Sequence, residues 1–229
     1  MLTPEEWTAV ALSLKVAFWA TFWSLPVAVL TAFVLARARF PGKSVLDGLV
    51  YLPLVLPKVV VGYLLLLTLG GRGFIGQYLD AWFGIKLIFT TAGATVAAAV
   101  VSFPLTVNAI RLALEAVDRG LETAARTLGA TRLDVFFSVT LPLMLPGILS
   151  GALLAIASAL GEFGATITFV SNVEGETRTI PLAIYSATHM PDGDAMALRL
   201  TLVSVVLALG SLMLAGLVDR RIRLMIGRV

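Results

Sequence analysis

The sequence predicts an all-α membrane protein, a single domain over residues 1–229 with about five transmembrane helices. Two observations lead to this prediction. First, 59% of the residues are hydrophobic and only 14% are charged, whereas soluble domains carry roughly 25% charged residues. Second, five stretches are long and apolar enough for the helix of about 20 residues that spans a bilayer. Lipid must therefore be the solvent for much of the surface.

The five predicted spans cover residues 11–36, 49–69, 91–113, 143–169 and 198–218. The fourth span is long and contains Gly161-Glu162-Phe163-Gly164, where we expect a break or a bend. A further apolar segment, Ile180–Ala187, is too short to cross the membrane. It predicts a re-entrant or interfacial helix.

The distribution of basic residues predicts that the N-terminus lies outside the cell and the C-terminus inside. In this orientation eleven basic residues fall on the cytoplasmic side and four on the outer side, which agrees with the positive-inside rule. The cytoplasmic residues are Arg37, Arg39, Lys43, Arg111, Arg119, Arg126, Arg132, Arg220, Arg221, Arg223 and Arg228. The outer residues are Arg72, Lys86, Arg178 and Arg199.

Several kinds of chemistry are not expected of this chain. It has no cysteine, and its one histidine, His189, has no partner at metal-ligand spacing, so neither a metal site nor a cofactor is predicted. Glu162 is the only carboxylate within a predicted span, too few for an intramembrane acid–base enzyme. Gly42-Lys43-Ser44 resembles the end of a P-loop, but Arg37 stands where that motif needs its first glycine. We expect neither ATP hydrolysis nor nucleic-acid binding by this chain.

The predicted cytoplasmic loop, residues 115–140, contains two short helices separated by a break. Leu121, Ala124, Ala125 and Leu128 recur at helical spacing. Gly129 is a natural helix end, and Thr131 with Asp134 fits a capping box that begins the next helix. Pro142 suits the first turn of the fourth span. The local pattern leaves two alternatives open, a helix that docks into a partner's groove and a helix that lies in the membrane interface.

The same loop resembles the permease signature of ABC importers. That signature reads Glu-Ala-Ala, three residues, Gly, nine residues, Ile, one residue and Leu-Pro. The chain matches it from Thr123 to Pro142 without a gap. Thr123 occupies the place of the signature Glu, with Glu122 one residue earlier, and Val139 replaces Ile.

Four further segments are similar to one branch of that family, the molybdate importer permeases. They are Phe40–Ser44, Leu52–Pro57, Ala124–Ala130 and Leu160–Ala165. The resemblance runs from about residue 8 to residue 218 and implies the type I ABC importer permease fold in the cell inner membrane. It also implies a homodimer bound to two ATPase subunits and fed by an external oxyanion-binding protein. Sulfate or thiosulfate permeases, and less so an oxyanion channel without an ATPase, remain alternatives.

The resemblance assigns contact with the ATPase to seven residues of the loop and its exit. They are Glu122, Ala124, Ala125, Gly129, Ala130, Leu141 and Pro142. It leaves open whether Glu122 or Thr123 makes the contact.

Four polar residues within or beside the spans are candidates for a translocation pathway or gate: Lys58, Ser102, Glu162 and Thr166. Lys58 either attracts an oxyanion or extends its amine to the headgroups. For Glu162 we favour a structural or gating role over substrate contact, because a negative charge repels an anion. Ser102 precedes Pro104, which is expected to interrupt the third span. Its hydroxyl, like that of Thr166, either lines a pathway or bonds back to its own helix.

Small residues also repeat every four positions along the fourth span, at Gly147, Gly151, Ala155 and Ala159. Residues of this size at this spacing let two helices approach closely in lipid. We therefore expect this face to pack against another helix, either within the subunit or across a dimer.

Overall fold

The computed structural model describes residues 2–226, with side chains described up to Leu217 except Ala215. Every regular element in this part of the chain is helical. The helices are α1 (Pro4–Arg37), α2 (Lys43–Val55), α3 (Lys58–Leu69), α4 (Gly76–Phe83), α5 (Thr91–Glu115), α6 (Arg119–Thr127), α7 (Arg132–Val135), a π-helical turn (Phe136–Thr140), α8 (Leu141–Leu160), α9 (Gly164–Val170), α10 (Ile180–Ala187) and α11 (Asp194–Ile226). Arg228 lies outside the described residues, and the side chains of Arg220, Arg221 and Arg223 are not described.

Four of the helical segments are long and apolar enough to cross a membrane by themselves: Pro4–Arg37, Thr91–Glu115, Arg132–Leu160 and Asp194–Leu214. A fifth crossing results if α2 and α3 count together, although the two are bent by 116°. The prediction of one continuous helix over residues 49–69 is therefore wrong. Pro57 explains the break, because a proline pushes the preceding residue out of the helical region, and Leu56 has φ −70° and ψ 145°.

The fourth span begins earlier and ends earlier than residues 143–169. The helix starts at Arg132, passes through the π-helical turn and ends at Leu160. The chain becomes helical again at Gly164, so the expected break at Gly161 is confirmed. Pro142 consequently lies inside a continuous helix, not at its beginning. The π-helical turn ends at Thr140, two residues before Pro142. Pro142 has no N–H and so cannot donate the backbone hydrogen bond that an α-helix needs at this position.

The expected interruption of the third span at Pro104 is wrong, because α5 is continuous from Thr91 to Glu115. The Thr106 hydroxyl donates a hydrogen bond of 3.2 Å to the Ser102 carbonyl oxygen. Pro104 leaves the Val100 carbonyl without its usual helical donor, and membrane helices tolerate such a gap where neighbouring helices hold the segment. Eleven residues of the helix are buried, Pro104 among them, and their packing also holds this segment in place.

The centre of the molecule is α5, which packs against α1 on one side and α8 on the other. A Cβ on Gly147 would overlap the Ala113 side chain, and a Cβ on Gly151 would lie 3.2 Å from the Thr106 carbonyl oxygen. The face of small residues on α8 therefore packs against α5 of the same subunit. Of the two alternatives that the sequence left open, this is the intrasubunit one.

Polar contacts join α1 to α10 and α1 to the first turns of α11. Arg199 donates two hydrogen bonds to Glu6 Oε1, at 2.7 and 3.0 Å, and the Glu6 side chain is fully buried. The Ile180 backbone N–H donates to Ser13 Oγ at 2.7 Å. The Ile180 contact attaches α10, at the bounds predicted for the short apolar segment, to α1, and the Glu6 contact attaches α11 to α1.

Candidate coupling site

Helix α6 is delimited at both ends by its own sequence. At its start, Asp118 Oδ1 accepts a hydrogen bond of 2.7 Å from the Gly120 N–H. At its end, Gly129 has φ +93°, a conformation that costs a glycine little. The Gly129 N–H donates to the Arg126 carbonyl and the Ala130 N–H to the Ala125 carbonyl, the bonding pattern of a Schellman motif. The predicted helix end at Gly129 is confirmed.

Helix α7 begins with the predicted capping box. The Asp134 N–H donates to Thr131 Oγ1 at 3.3 Å, and the Thr131 N–H donates to Asp134 Oδ2 at 3.0 Å. Only Leu128–Thr131 separate α6 from α7. The loop is thus two short helices with defined ends.

Four large apolar side chains of this loop are exposed. They are Leu121, Leu128, Leu133 and Phe137, and Leu128 is 89% exposed. No residue of α6 is buried. We call these four residues the apolar edge. An exposed apolar surface among charged residues is typical of a site that binds another protein.

Glu122 projects from α6 in a different direction from Leu121 and Leu128 and attaches the helix to α1 and to the π-helical turn. Its Oε1 accepts hydrogen bonds from the Arg37 guanidinium at 2.8 Å and from the Thr140 hydroxyl at 2.9 Å. Arg37 ends α1, and Thr140 ends the π-helical turn that leads into α8. Movement of α6 would consequently pull on both helices.

The resemblance assigned contact with the ATPase to seven residues, and the structure places them as two groups and one separate residue, Glu122. Ala124, Ala125, Gly129 and Ala130 lie in α6 or directly after it, next to the apolar edge. Leu141 and Pro142 lie at the start of α8, where Leu141 packs against the inner core of α1, α5 and α8. Glu122 belongs to neither group, because it is bonded inside the chain.

Two features of this site were missed by sequence reasoning. Leu128 was recognised only by its helical spacing, which does not show that the side chain is exposed. The Arg37–Glu122 ion pair joins residues 85 positions apart. No local pattern in the sequence signals such a pair.

A second polar site lies where the two broken spans meet. Glu162 Oε1 accepts the Ala165 N–H at 2.7 Å, within the first turn of α9. Glu162 Oε2 lies 3.1 Å from Lys58 Nζ, at the start of α3, but accepts no hydrogen bond of good geometry. The Glu162 side chain is 1% exposed and that of Lys58 is 49% exposed. The Lys58 amine thus lies on a buried carboxylate, an arrangement that neither sequence-based alternative included.

Two glycines bring α3 and α9 together at this second site. A Cβ on Gly62 would lie 2.6 Å from the Ala165 carbonyl oxygen. A Cβ on Gly164 would lie 2.8 Å from the Lys58 Cβ. Both distances are shorter than van der Waals contact, so any larger residue would push the two helices apart.

The other two pathway candidates are enclosed within the subunit. Ser102 and Thr166 are both buried. The Ser102 hydroxyl donates to the Ala99 carbonyl at 3.3 Å, back to its own helix. Among the described residues no group of acidic or histidine side chains is arranged to hold a metal ion. His189 is exposed, with Nδ1 2.8 Å from the Tyr185 carbonyl oxygen.

Comparisons with known proteins agree with this architecture. Residues 4–224 match the family described as binding-protein-dependent transport system inner membrane component. The chain is 58% identical to the molybdenum transport system permease protein ModB of Escherichia coli (strain K12), over 100% of both chains. It is 52% identical to ModB of Haemophilus influenzae, over 97% of both chains. It is 37% identical to the sulfate transport system permease protein CysT of Salmonella typhimurium, over 92% of this chain and 75% of CysT.

Solved structures show a similar fold at low sequence identity. A chain of a bacterial alginate ABC transporter, in complex with an alginate-pentasaccharide-bound periplasmic protein, superposes with a TM-score of 0.76 at 20% identity. This match covers 96% of the present chain and 80% of the other. A chain of the MetNI methionine ABC transporter, in an inward-facing conformation, gives 0.68 at 18% identity over 95% and 94% of the two chains.

Proposed function

We infer the function of this chain from its family, because the chain belongs to the binding-protein-dependent transport system inner membrane components. It is a multi-pass membrane permease, the non-catalytic component of an ABC transporter. We propose that it forms the pore of an ATP-driven importer that moves molybdate or tungstate across the cell inner membrane. The observation that carries this proposal is the 58% identity to a molybdenum permease over the full length of both chains. Identity to the sulfate permease is 37%, which makes sulfate or thiosulfate the second candidate.

The assembled importer would contain two copies of this chain, two ATPase subunits and an external oxyanion-binding protein. The whole chain, residues 1–229, would act as one transmembrane domain with its N-terminus outside and its C-terminus in the cytoplasm. The apolar edge supports docking to the ATPase, since an exposed apolar helix face is suited to a partner's groove. ATP would be hydrolysed by the partner alone. An oxyanion channel without an ATPase would have no use for this surface.

Coupling would operate through α6. When the ATPase subunits close, α6 would move with them, and its bonds through Glu122 to Arg37 and Thr140 would transmit that movement to α1 and to the helix leading into α8. The pathway would then open toward the binding protein outside. Separation of the ATPases would open it to the cytoplasm. Ligands and partners drive such transitions only through their different affinity for the two states.

The contact between Lys58 and Glu162 would act as part of the gate. An unpaired carboxylate in the membrane repels a dianion, and an unpaired ammonium would hold it too tightly for release. In the ion pair each charge offsets the other, so the substrate is neither strongly repelled nor tightly held in the translocation pathway. Ser102 and Thr166 would reach the pathway only if α5 and α9 separate, because both are buried in the present arrangement.

The proposal is tested by ATP hydrolysis in proteoliposomes that contain this chain, its ATPase and its binding protein. The binding protein is added empty, loaded with molybdate or loaded with sulfate. We expect molybdate-loaded protein to stimulate hydrolysis and sulfate-loaded protein to leave it at the basal rate. Stimulation by the sulfate-loaded form alone would favour the second candidate. If the rate of ATP hydrolysis is the same with every form of the binding protein, the proposal of an importer is contradicted.

A further inference from the structure

A cavity of about 500 Å³ lies between α6 and the ends of the membrane helices. Four arginines and Glu122 are among the residues that line it. The arginines are Arg37, Arg119, Arg126 and Arg132. The cavity is open at the surface, so a ligand can reach it.

The charges in this cavity do not balance. The Glu122 carboxylate is already bonded to Arg37 and to the Thr140 hydroxyl. Among the side chains that the structure describes, up to Leu217, Arg119, Arg126 and Arg132 make no ion pair. Three arginines that line one concave space therefore have no paired acid among the described side chains. Such an arrangement produces a positive potential that concentrates anions.

The residues that line the cavity favour one class of anion, a phosphate-type group. A guanidinium group presents paired N–H donors that match two oxygens of a phosphate-type group. The lining also contains three apolar residues, Phe33, Val135 and Phe136, and the two phenylalanine rings meet edge-to-face at 5.8 Å. An anionic head beside an apolar wall corresponds to the junction of a phospholipid headgroup and its acyl chains. Basic pockets between membrane helices bind such headgroups.

We propose that this cavity binds a tetrahedral, phosphate-type oxyanion, carried on the headgroup of an anionic phospholipid or free in the cytoplasm. The proposal rests on the proposed function for the side of the membrane that the cavity faces. The site is placed to regulate coupling, because its ligand would join α6 and α7 to the ends of α1 and the π-helical turn. Occupancy would change how readily α6 moves relative to the membrane helices.

The test uses the full chain assembled with its ATPase in nanodiscs. In the lipid arm the discs contain phosphatidylcholine with or without phosphatidylglycerol, and native mass spectrometry counts the phosphatidylglycerol molecules that stay bound. In the free-anion arm the discs contain phosphatidylcholine only, and equilibrium dialysis measures the binding of radiolabelled inorganic phosphate. The variants are Arg119→Gln, Arg126→Gln and Arg132→Gln, singly and together. Arg39→Gln is the matched control, since Arg39 is exposed and lies outside the cavity.

We expect each cavity replacement to weaken binding about tenfold in one of the two arms, since a hydrogen bond to a charged group is lost. Arg39→Gln should bind as the unaltered chain does. Loss in the lipid arm identifies a lipid phosphate, and loss in the phosphate arm identifies a free anion. If the triple variant does not assemble, Arg126→Lys, which keeps the charge but not the paired donors, should still bind more weakly than Arg39→Lys.

Equal binding by cavity variants and control in both arms would overturn the proposal. Unchanged anion binding together with loss of the ATPase would also overturn it, and would make the arginines contacts of the ATPase. Hydrolysis stimulated by loaded binding protein is measured on the same samples. Failure of the proposed function would remove that stimulation from the unaltered chain, whereas failure of this inference would leave it intact.

Discussion

The two acidic residues Glu122 and Glu162 each bind a basic side chain from another helix, yet their surroundings differ. Glu122 is partly exposed and shares one oxygen between Arg37 and Thr140. Glu162 is buried, and Lys58 is the only charge that its Oε2 meets among the described residues. The Glu122 carboxylate has a second hydrogen-bond partner and access to water. The Glu162 carboxylate is 1% exposed and its Oε2 accepts no hydrogen bond, so loss of the basic partner should cost more there.

The largest effect should follow from Lys58→Met, which leaves the Glu162 charge buried without a partner. Removing one member of a fully buried pair costs about 3–5 kcal/mol. Because Lys58 is half exposed, we expect a loss of about 2–3 kcal/mol in the free energy of unfolding. Thermal unfolding of the purified chain in detergent measures it. The double variant Lys58→Met/Glu162→Gln should recover most of the loss. A single variant as stable as the unaltered chain would remove the distinction between the two sites.

The contact between α3 and α9 can be tested without changing any charge. Gly62→Ala places a methyl group against the Ala165 carbonyl oxygen, and we expect it to destabilise the chain by about 1–3 kcal/mol. Gly48→Ala is the matched control, because its Cβ would meet no atom within 4 Å and alanine favours a helix. Thermal unfolding should separate the two variants. Similar unfolding temperatures would mean that α3 and α9 do not pack closely in the membrane.

At the other site, Glu122→Gln should have a small effect on stability and a large effect on coupling. The amide oxygen can still accept the Thr140 hydroxyl, so the loss should be about 1 kcal/mol or less. Loosening α6 from α1 should nevertheless lower the ratio of stimulated to basal ATP hydrolysis in proteoliposomes. Arg39→Gln, which removes a charge outside this contact, should keep the ratio. If both variants couple normally, transmission through Glu122 is refuted.

A similarly small change in stability is expected for Gly129→Ala. An alanine at φ +93° costs about 1 kcal/mol, and its Cβ would touch nothing within the chain. Gly175→Ala is closely matched, with φ +75° and equally open surroundings, but it lies far from α6. Both should lower the unfolding temperature by the same small amount. Only Gly129→Ala should reduce stimulated hydrolysis, and equal hydrolysis by the two variants would show that the end of α6 is not involved in coupling.

The parts of the fold that depend on local rules could be predicted from the sequence. Helix ends at Gly129 and Thr131, and the break after Leu160, follow from residues within a few positions of each boundary. The 116° bend was missed because apolar length alone was used to define the second span, although Pro57 restricts the residue before it. The π-helical turn at Phe136–Thr140 was missed because no residue pattern in this segment predicts a π-helix.

The candidate site could be predicted only in part. The loop and its signature residues were recognisable, because a fixed spacing carries them. The two ion pairs were not, since Arg37 and Glu122 belong to α1 and α6, and Lys58 and Glu162 to α3 and the break after α8. Such contacts arise from the tertiary packing of distant segments. Sequence spacing therefore located the docking helix but not the bonds that attach it.

The claim that α6 is the element that docks to the ATPase is tested most directly by site-specific cross-linking. The chain has no cysteine, so Leu128→Cys introduces its only thiol, at the tip of the apolar edge. Trp82→Cys, on the exposed face of α4, is the control. In the assembled transporter, a photoreactive thiol reagent on Leu128→Cys should cross-link to the ATPase with a yield that changes when ATP is bound, and the control should not cross-link. Equal yields at both positions, or none at Leu128→Cys in a complex that still hydrolyses ATP, would contradict the docking of α6.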